Sequence, residues 1–95
     1  MDTIFKKRTV ISVDSGDLSD LIENLYGQNP EIEASLELGH DDTYEVSANA
    51  SEADEVAFAE WKENRSISYH EIPMLMNQLA KDGHIEDGNY LIEVC

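Results

Sequence analysis

The sequence predicts an α+β domain with a mostly antiparallel sheet of about four strands and with helices packed on one face of that sheet. Two observations lead to this prediction. Apolar residues recur with a period of about 2 in some segments and about 3.6 in others, in the order β-α-β-β-α-α-β. Glycine and Asp-Gly signals separate these segments. A chain of 95 residues holds one modest core, so residues 1–95 are expected to form a single domain.

The first two elements are predicted to be a strand and a helix. Residues 9–13 form the predicted strand, and Ser15 then offers an N-cap for the helix. Gly27 is well placed to end that helix. The apolar stripe of the helix consists of Leu18, Leu21, Ile22 and Leu25, and its opposite side carries Asp17, Asp20 and Glu23.

The middle of the chain is predicted to form a β-hairpin. Residues 31–38 and residues 43–50 both alternate between apolar and polar side chains, and residues 39–42 (GHDD) lie between them as a turn. The outer face of this hairpin is predicted to carry Glu31, Glu33, Glu37 and Glu45. Like charges on one strand face are mildly destabilising, so we expect that a function outside fold stability maintains them.

A helix over residues 52–64 is predicted next, because Ser51 begins a capping-box-like segment, S-E-A-D. Trp61 lies on the apolar side of this helix, among small alanines. A small domain has difficulty burying a whole indole, so Trp61 is expected to remain partly exposed. It is therefore the candidate apolar contact for a partner.

A last helix and a last strand complete the prediction. Ser68 and Glu71 form a full S-x-x-E capping box. Pro73 lacks the N–H that a helix interior needs, so either the helix kinks there or its regular part starts there. Leu75, Met76 and Leu79 are predicted to form the buried stripe of this helix. Gly83 is expected to end it, and residues 90–94 form the predicted last strand.

The charge is strongly unbalanced: 21 acidic residues against 6 basic ones give a net charge of −15. Between Thr9 and Trp61 every charged side chain is Asp or Glu. Such a field repels nucleic acid and anionic membranes and attracts basic protein surfaces or cations. The sequence therefore predicts no direct nucleic-acid binding, no membrane association, and a basic protein as the partner.

The carboxyl-terminal segment KDGHIEDGNYLIEV, placed after a helix, is similar to the helix-and-wing end of winged-helix DNA-binding proteins. Direct DNA binding requires Lys and Arg side chains that face phosphates. This segment has Lys81 as its one base among several acids. A helix followed by strands that complete the sheet is the favoured interpretation.

Neither a metal site nor an enzyme is predicted. The stretch DSGDLSDLIENL lacks the ligand spacing of an EF-hand loop, and a single His40 beside Asp41 and Asp42 is an ordinary polar turn. No phosphate-binding loop or nucleophile motif occurs, and Cys95 is the only cysteine. No cofactor is expected. The amino terminus lacks a signal-like apolar run, so the expected location is the cytoplasm.

The spacing of the acids suggests a function. Alternate residues on one strand face lie roughly 6.5 Å apart, similar to neighbouring phosphates along a nucleic-acid strand. The candidate contact residues are Glu31, Glu33, Glu37, Asp41, Asp42, Glu45, Asp17, Asp20, Glu52, Glu55 and Trp61.

In size, charge and carboxylate layout the chain resembles the small acidic phage proteins that mimic DNA and block restriction enzymes, CRISPR effectors or other nucleic-acid-binding proteins. The resemblance implies a non-enzymatic inhibitor that occupies the basic nucleic-acid channel of a host protein. The alternative is a generic acidic interaction module, such as an antidote to a basic toxin or a small assembly subunit. In that case affinity would come from an apolar patch around Trp61.

Overall fold

The structure is a computed structural model that describes residues 10–64 and 71–94. The chain is α+β, and the described residues contain three strands and four α-helices. In chain order these are β1 (Val10–Asp14), α1 (Ser15–Tyr26), α2 (Ile32–Ser35), β2 (Thr43–Ala48), α3 (Glu55–Asn64), α4 (Glu71–Lys81) and β3 (Gly88–Glu93). A short 3₁₀ helix, Ala50–Glu52, precedes α3.

The last strand lies at the centre of the sheet, whose order is β1-β3-β2. β3 runs parallel to β1 and antiparallel to β2. The predicted sheet of about four mostly antiparallel strands is not confirmed, since one of the two described pairings is parallel. A parallel pair needs a long crossover connection, and here that connection includes all four described helices.

The predicted strand over residues 31–38 is wrong. This segment forms the one-turn helix α2, which ends at Glu37 with a left-handed backbone (φ 56°). The Leu38 N–H donates to the Glu33 carbonyl at 2.8 Å and the Glu37 N–H donates to the Ala34 carbonyl at 3.2 Å, which is the Schellman pattern of a helix end. Glycine usually takes that position, so a glutamate there gives no sequence signal for it.

The other helix ends follow the sequence more closely. Asp14, and not Ser15, caps α1, because its Oδ2 accepts the Asp17 N–H at 3.1 Å. Gly27 (φ 84°) ends α1 and Gly83 (φ 83°) follows α4, as predicted. Both glycines are left-handed, a conformation that costs other residues about 1–2 kcal/mol.

The two carboxyl-terminal helices differ in detail from the prediction. The helix expected from residue 52 begins at Glu55, where the Ala57 N–H donates to Asp54 Oδ1 at 3.0 Å. The structure describes α4 from Glu71 onward, and Pro73 lies near the start of this described stretch. Ser68 of the predicted capping box lies outside the described residues.

The core forms between α4, α1, α2 and one face of the sheet. The buried apolar residues are Leu18, Ile22, Ile32, Val46, Ala48, Trp61, Ile72, Met74, Leu75, Met76, Leu79, Ala80, Tyr90 and Ile92. They include the predicted stripe Leu75, Met76 and Leu79. Along β2 the burial alternates, with Val46 and Ala48 buried and Glu45 and Ser47 exposed, so the other face of β2 is open.

The helical assignment of residues 32–35 predicts opposite outcomes for two glycine substitutions. Glu37→Gly should leave the free energy of unfolding unchanged or raise it by up to about 1 kcal/mol, because it relieves the left-handed backbone. Ala34→Gly, within α2, should lower it by about 1 kcal/mol. Urea unfolding followed by Trp61 fluorescence measures both. If Glu37→Gly destabilises the protein as much as Ala34→Gly does, the segment is extended, as a strand would be.

Candidate functional site

The sheet topology gathers acidic residues at one end of the sheet. β1 and β3 are parallel and both finish there, and antiparallel β2 starts there. In register, Glu93 lies between Asp14 and Thr43. Helix α1 begins directly after β1, so its first turn, which carries Asp17, lies at the same end. We call the following six residues the acidic end: Asp14, Asp17, Glu33, Asp41, Asp42 and Glu93.

Hydrogen bonds hold Asp42 and Glu33 at the acidic end. The Val94 N–H donates to the Asp42 carbonyl at 3.1 Å, which holds the turn before β2 against the end of β3. The Ser15 hydroxyl donates to Glu33 Oε2 at 2.8 Å and thereby joins α2 to the start of α1. The Gly39 N–H donates to Asp42 Oδ2 at 2.6 Å within the turn. Four separate segments therefore contribute carboxylates to one region.

The acidic end continues onto the open face of the sheet. Asp14 and Glu93 are register partners on strands about 4.8 Å apart, and their side chains lie on the same face. Glu45 lies diagonally across from Glu93, a separation of about 7–8 Å for neighbours of this kind. Three carboxylates from three strands thus follow one another across the open face.

Among the described residues, no Lys or Arg forms an ion pair with Asp17, Glu33, Asp41, Asp42 or Glu93. Lys81 pairs with Glu55 at the start of α3, and the Lys62 ammonium lies 5.6 Å from the centre of the Phe58 ring. The described cations therefore interact elsewhere, and the field of the acidic end is not cancelled by them.

The structure scatters the predicted row of glutamates. Glu31, Glu33 and Glu37 do not share a strand face with Glu45, because they lie in or beside α2. Glu33 belongs to the acidic end, whereas Glu37 lies in the turn after α2 and Glu31 borders a pocket described below. The row failed because Ile32 and Leu36, taken as alternating strand residues, also have the four-residue spacing of a helix.

The remaining predicted acids are exposed and are not members of the acidic end. Asp20 is one turn further along α1, and Glu55 is paired with Lys81. Glu52 and Glu45 both line a second hollow, of about 460 Å³, between β2 and α4. Glu52 and Glu55 are therefore not part of the acidic end.

The expectation that Trp61 is partly exposed is wrong. Its relative exposure is 2%, and its ring stacks on Phe58 with ring centres 6.0 Å apart. The Tyr26 ring, from α1, packs against the Phe58 ring, and the centres of these two rings lie 4.6 Å apart. The indole is buried, so within residues 10–64 and 71–94 it does not form the exposed apolar contact that the sequence suggested.

A pocket that the sequence did not predict lies beside Trp61. It has a volume of about 330 Å³ and is lined by Gln28, Asn29, Pro30, Glu31, Ala34, Ser35, Trp61 and Glu71. Glu71, the first residue of α4, is only 6% exposed and is the one acidic side chain classed as buried among the described residues. The sequence places Glu71 in a capping box, a position that indicates a surface residue. Only the apolar residues that follow it indicated that it could be buried.

Burial raises the pKa of the Glu71 carboxyl to about 7. Hydrogen bonding from the Trp61 side chain lowers the pKa, the nearby Glu31 carboxylate raises it, and hydrogen bonding from Ser35 lowers it. The Ser35 hydroxyl also donates to the Pro30 carbonyl at 2.9 Å, and it has only one proton to give. The Ser35 hydroxyl therefore divides its one proton between the Pro30 carbonyl and the Glu71 carboxylate. Burial remains the largest influence on the pKa of Glu71.

The other notable titratable group is structural. The Tyr26 hydroxyl donates to Asp82 Oδ2 at 2.8 Å, and burial is the main reason why the pKa of Tyr26 is raised well above its ordinary value. Gln78 donates to the second oxygen of Asp82 at 3.1 Å. This network links the end of α1 to the end of α4. Within residues 10–64 and 71–94 no three His, Cys, Asp or Glu side chains are placed to hold a metal ion.

The chain matches no protein-family model, no curated protein and no solved structure. None of the helices in the described parts of the chain is both long enough and apolar enough to span a lipid bilayer.

The raised pKa of Glu71 predicts a specific pH dependence of stability. A carboxyl whose folded pKa lies above its unfolded value of about 4.5 favours the folded state below that value, and this contribution is lost as the pH rises through about 7. Glu71→Gln should therefore match the wild type at pH 5 and exceed its free energy of unfolding at pH 8, by on the order of 1 kcal/mol or more.

Urea unfolding at pH 5, 6, 7 and 8 measures the difference. Glu60→Gln, an exposed residue of α3, is the matched control because it removes the same charge from the surface. Its curve should run parallel to that of the wild type. If the free energy of unfolding of Glu71→Gln also runs parallel to that of the wild type, Glu71 is ionised in the folded protein at all four pH values.

Proposed function

We propose that this protein is a non-enzymatic inhibitor that occupies the basic nucleic-acid-binding surface of another protein, of the restriction-enzyme or CRISPR-effector type, and competes there with nucleic acid. The acidic end is the proposed contact. The observation that supports it is the convergence of carboxylates from four segments, of which Asp17, Glu33, Asp41, Asp42 and Glu93 form no ion pair with a described Lys or Arg. This replaces the single strand face on which the sequence suggested the contact.

The physical basis of the proposed competition is electrostatic. A basic channel is built to contact phosphates, so a surface with closely spaced negative charges is complementary to it. Glu93 and Glu45 lie diagonally on the open sheet face at about 7–8 Å, a separation similar to that of neighbouring phosphates along a strand. Opposite fields accelerate the encounter, and binding then blocks nucleic acid sterically. The proposed encounter takes place in the cytoplasm.

Local hydrogen bonds give Asp14, Glu33 and Asp42 structural roles, but they give no reason for the other acids of this region. Like charges at adjacent strand positions are destabilising, and a net charge of magnitude about 2–8 already keeps a small domain soluble. The net charge of −15 is well beyond that range. A generic interaction module that binds through an apolar patch at Trp61 is less well supported, because that indole is buried.

The proposal predicts that charge at the acidic end and at the adjoining Glu45, and not total charge, determines inhibition. Asp17→Asn, Asp41→Asn, Glu45→Gln and Glu93→Gln combined should weaken partner binding roughly tenfold or more at 0.1 M NaCl, mainly through slower association. The matched control combines Glu52→Gln, Glu60→Gln, Glu63→Gln and Glu86→Gln, exposed acids outside the acidic end with the same total charge change. It should bind within about twofold of the wild type.

The measurement uses a panel of bacterial restriction and CRISPR nucleases, each titrated with the protein while its binding of labelled duplex or guide-paired DNA is followed by fluorescence anisotropy. At least one nuclease should lose DNA binding, and higher salt should reduce the effect. The protein alone should not shift the DNA at low salt. Equal inhibition by the two fourfold variants would show that the acidic end is not the contact, and a partner bound without loss of its DNA would exclude mimicry.

A further inference from the structure

The pocket beside Trp61 brings two carboxyl groups together in a partly enclosed space. Glu71 enters it from α4 and Glu31 from the loop between α1 and α2. Their charges interact, since Glu31 raises the pKa of Glu71. Glu71 is more than nine-tenths buried, and no Lys, Arg or His of the described residues forms an ion pair with either carboxylate. A buried carboxylate without a counter-charge is costly.

The loop that forms the pocket wall is held in place by its own hydrogen bonds. Asn29 Oδ1 accepts the Glu31 N–H at 2.7 Å, and the Pro30 carbonyl accepts the Ser35 hydroxyl at 2.9 Å. Glu31 itself is left-handed (φ 53°) at the start of α2. The backbone at Glu31 is therefore held in place before any ligand arrives, which lowers the entropic cost of binding.

The lining of the pocket favours one kind of cation. Carboxylate oxygens come from Glu31 and Glu71, while Pro30 and Ala34 supply apolar surface. A guanidinium group has donors around its edge and weakly hydrated flat faces, so it suits acceptors and apolar walls together. An ammonium group is compact and strongly hydrated, and it would leave the apolar walls unused. The volume of about 330 Å³ is sufficient for an arginine side chain.

We propose that this pocket binds the guanidinium group of an arginine side chain, with Glu71 and Glu31 as the carboxylates that receive it. As an anchor for an arginine of a basic partner, the site rests on the proposed function. As a guanidinium site it is tested without any partner, so the two proposals can fail separately.

Binding at this site is linked to a proton. The groups that face Glu71 are Glu31 from the loop, Ser35 from α2 and Trp61 from α3. Near pH 7 part of the protein carries a protonated Glu71, and a guanidinium group favours the ionised form, so the proton is released on binding. For a carboxyl of pKa about 7, the affinity should fall about tenfold between pH 8 and pH 6.

The test is a titration of the ¹⁵N-labelled protein with N-acetyl-arginine amide in 0.15 M NaCl. Trp61 is the only tryptophan and lines the pocket, so its indole N–H signal reports on occupancy without ambiguity. We expect a saturable shift at pH 8, about tenfold weaker binding at pH 6, and no shift with the neutral analogue N-acetyl-citrulline amide. N-acetyl-lysine amide should bind at least threefold more weakly than the arginine compound.

Single substitutions test whether the arginine compound binds at the two pocket carboxylates. Glu71→Gln should abolish both the binding and its pH dependence, and Glu31→Gln, an exposed residue whose change should not affect folding, should weaken binding several-fold. Glu37→Gln, an exposed acid just after α2, is the matched control and should bind as the wild type does.

Three results would overturn the proposal: no saturable Trp61 shift in the folded wild type at pH 8, equal binding of the citrulline or lysine compound, or unchanged binding in Glu31→Gln together with a folded Glu71→Gln. If Glu71→Gln does not fold, Glu31→Gln and the two analogues decide the question alone.

Discussion

The pairing of the last strand with both other strands is the constraint on which the rest of this structure depends. β3 lies between β1 and β2 and supplies Tyr90 and Ile92 to the core face. Its parallel pairing with β1 joins the two ends of the described chain and encloses the four helices between them. Long-range pairing of this kind is entropically costly to form, and the buried stripe of α4 offsets the cost by packing on the same face.

The same pairing concentrates the negative charge. Because β1 and β3 finish together where β2 begins, acids that are far apart in sequence become neighbours at the acidic end. Several of them also have local structural roles: Asp14 caps α1 and Asp42 accepts the Gly39 N–H. A carboxylate that accepts a backbone N–H is stabilised by it, and this offsets part of the repulsion. In the part of the chain that the structure describes, these hydrogen bonds therefore help the fold to tolerate a dense negative surface.

The exposed acids and the buried Glu71 contribute in different ways to what this protein can recognise. Exposed carboxylates interact over long range and are screened by salt, so they influence how fast a basic surface approaches. A carboxyl that is buried against Trp61 interacts over short range and is sensitive to shape and to pH near neutrality. The first kind of charge gives attraction, and the second can give selectivity for a particular cation.

The sequence by itself determined the α+β class, the strand at β1, the helix ending at Gly27, the alternation of β2 and the buried stripe Leu75, Met76 and Leu79. These features are local: they follow from periodicity over a few residues and from glycine, whose left-handed conformation marks a helix end. The same local logic failed at α2, because its end is formed by Glu37 and its apolar spacing fits both a strand and a helix.

Only the tertiary structure decided the central place of β3, the acidic end, the burial of Trp61 and the pocket around Glu71. Each depends on contacts between segments that are distant in sequence, such as Glu93 beside Asp14 or Glu31 near Glu71. The composition shows a net charge of −15, well beyond the magnitude that keeps a small domain soluble. Where that charge converges is set by strand order and parallel pairing, which no local pattern in the chain encodes.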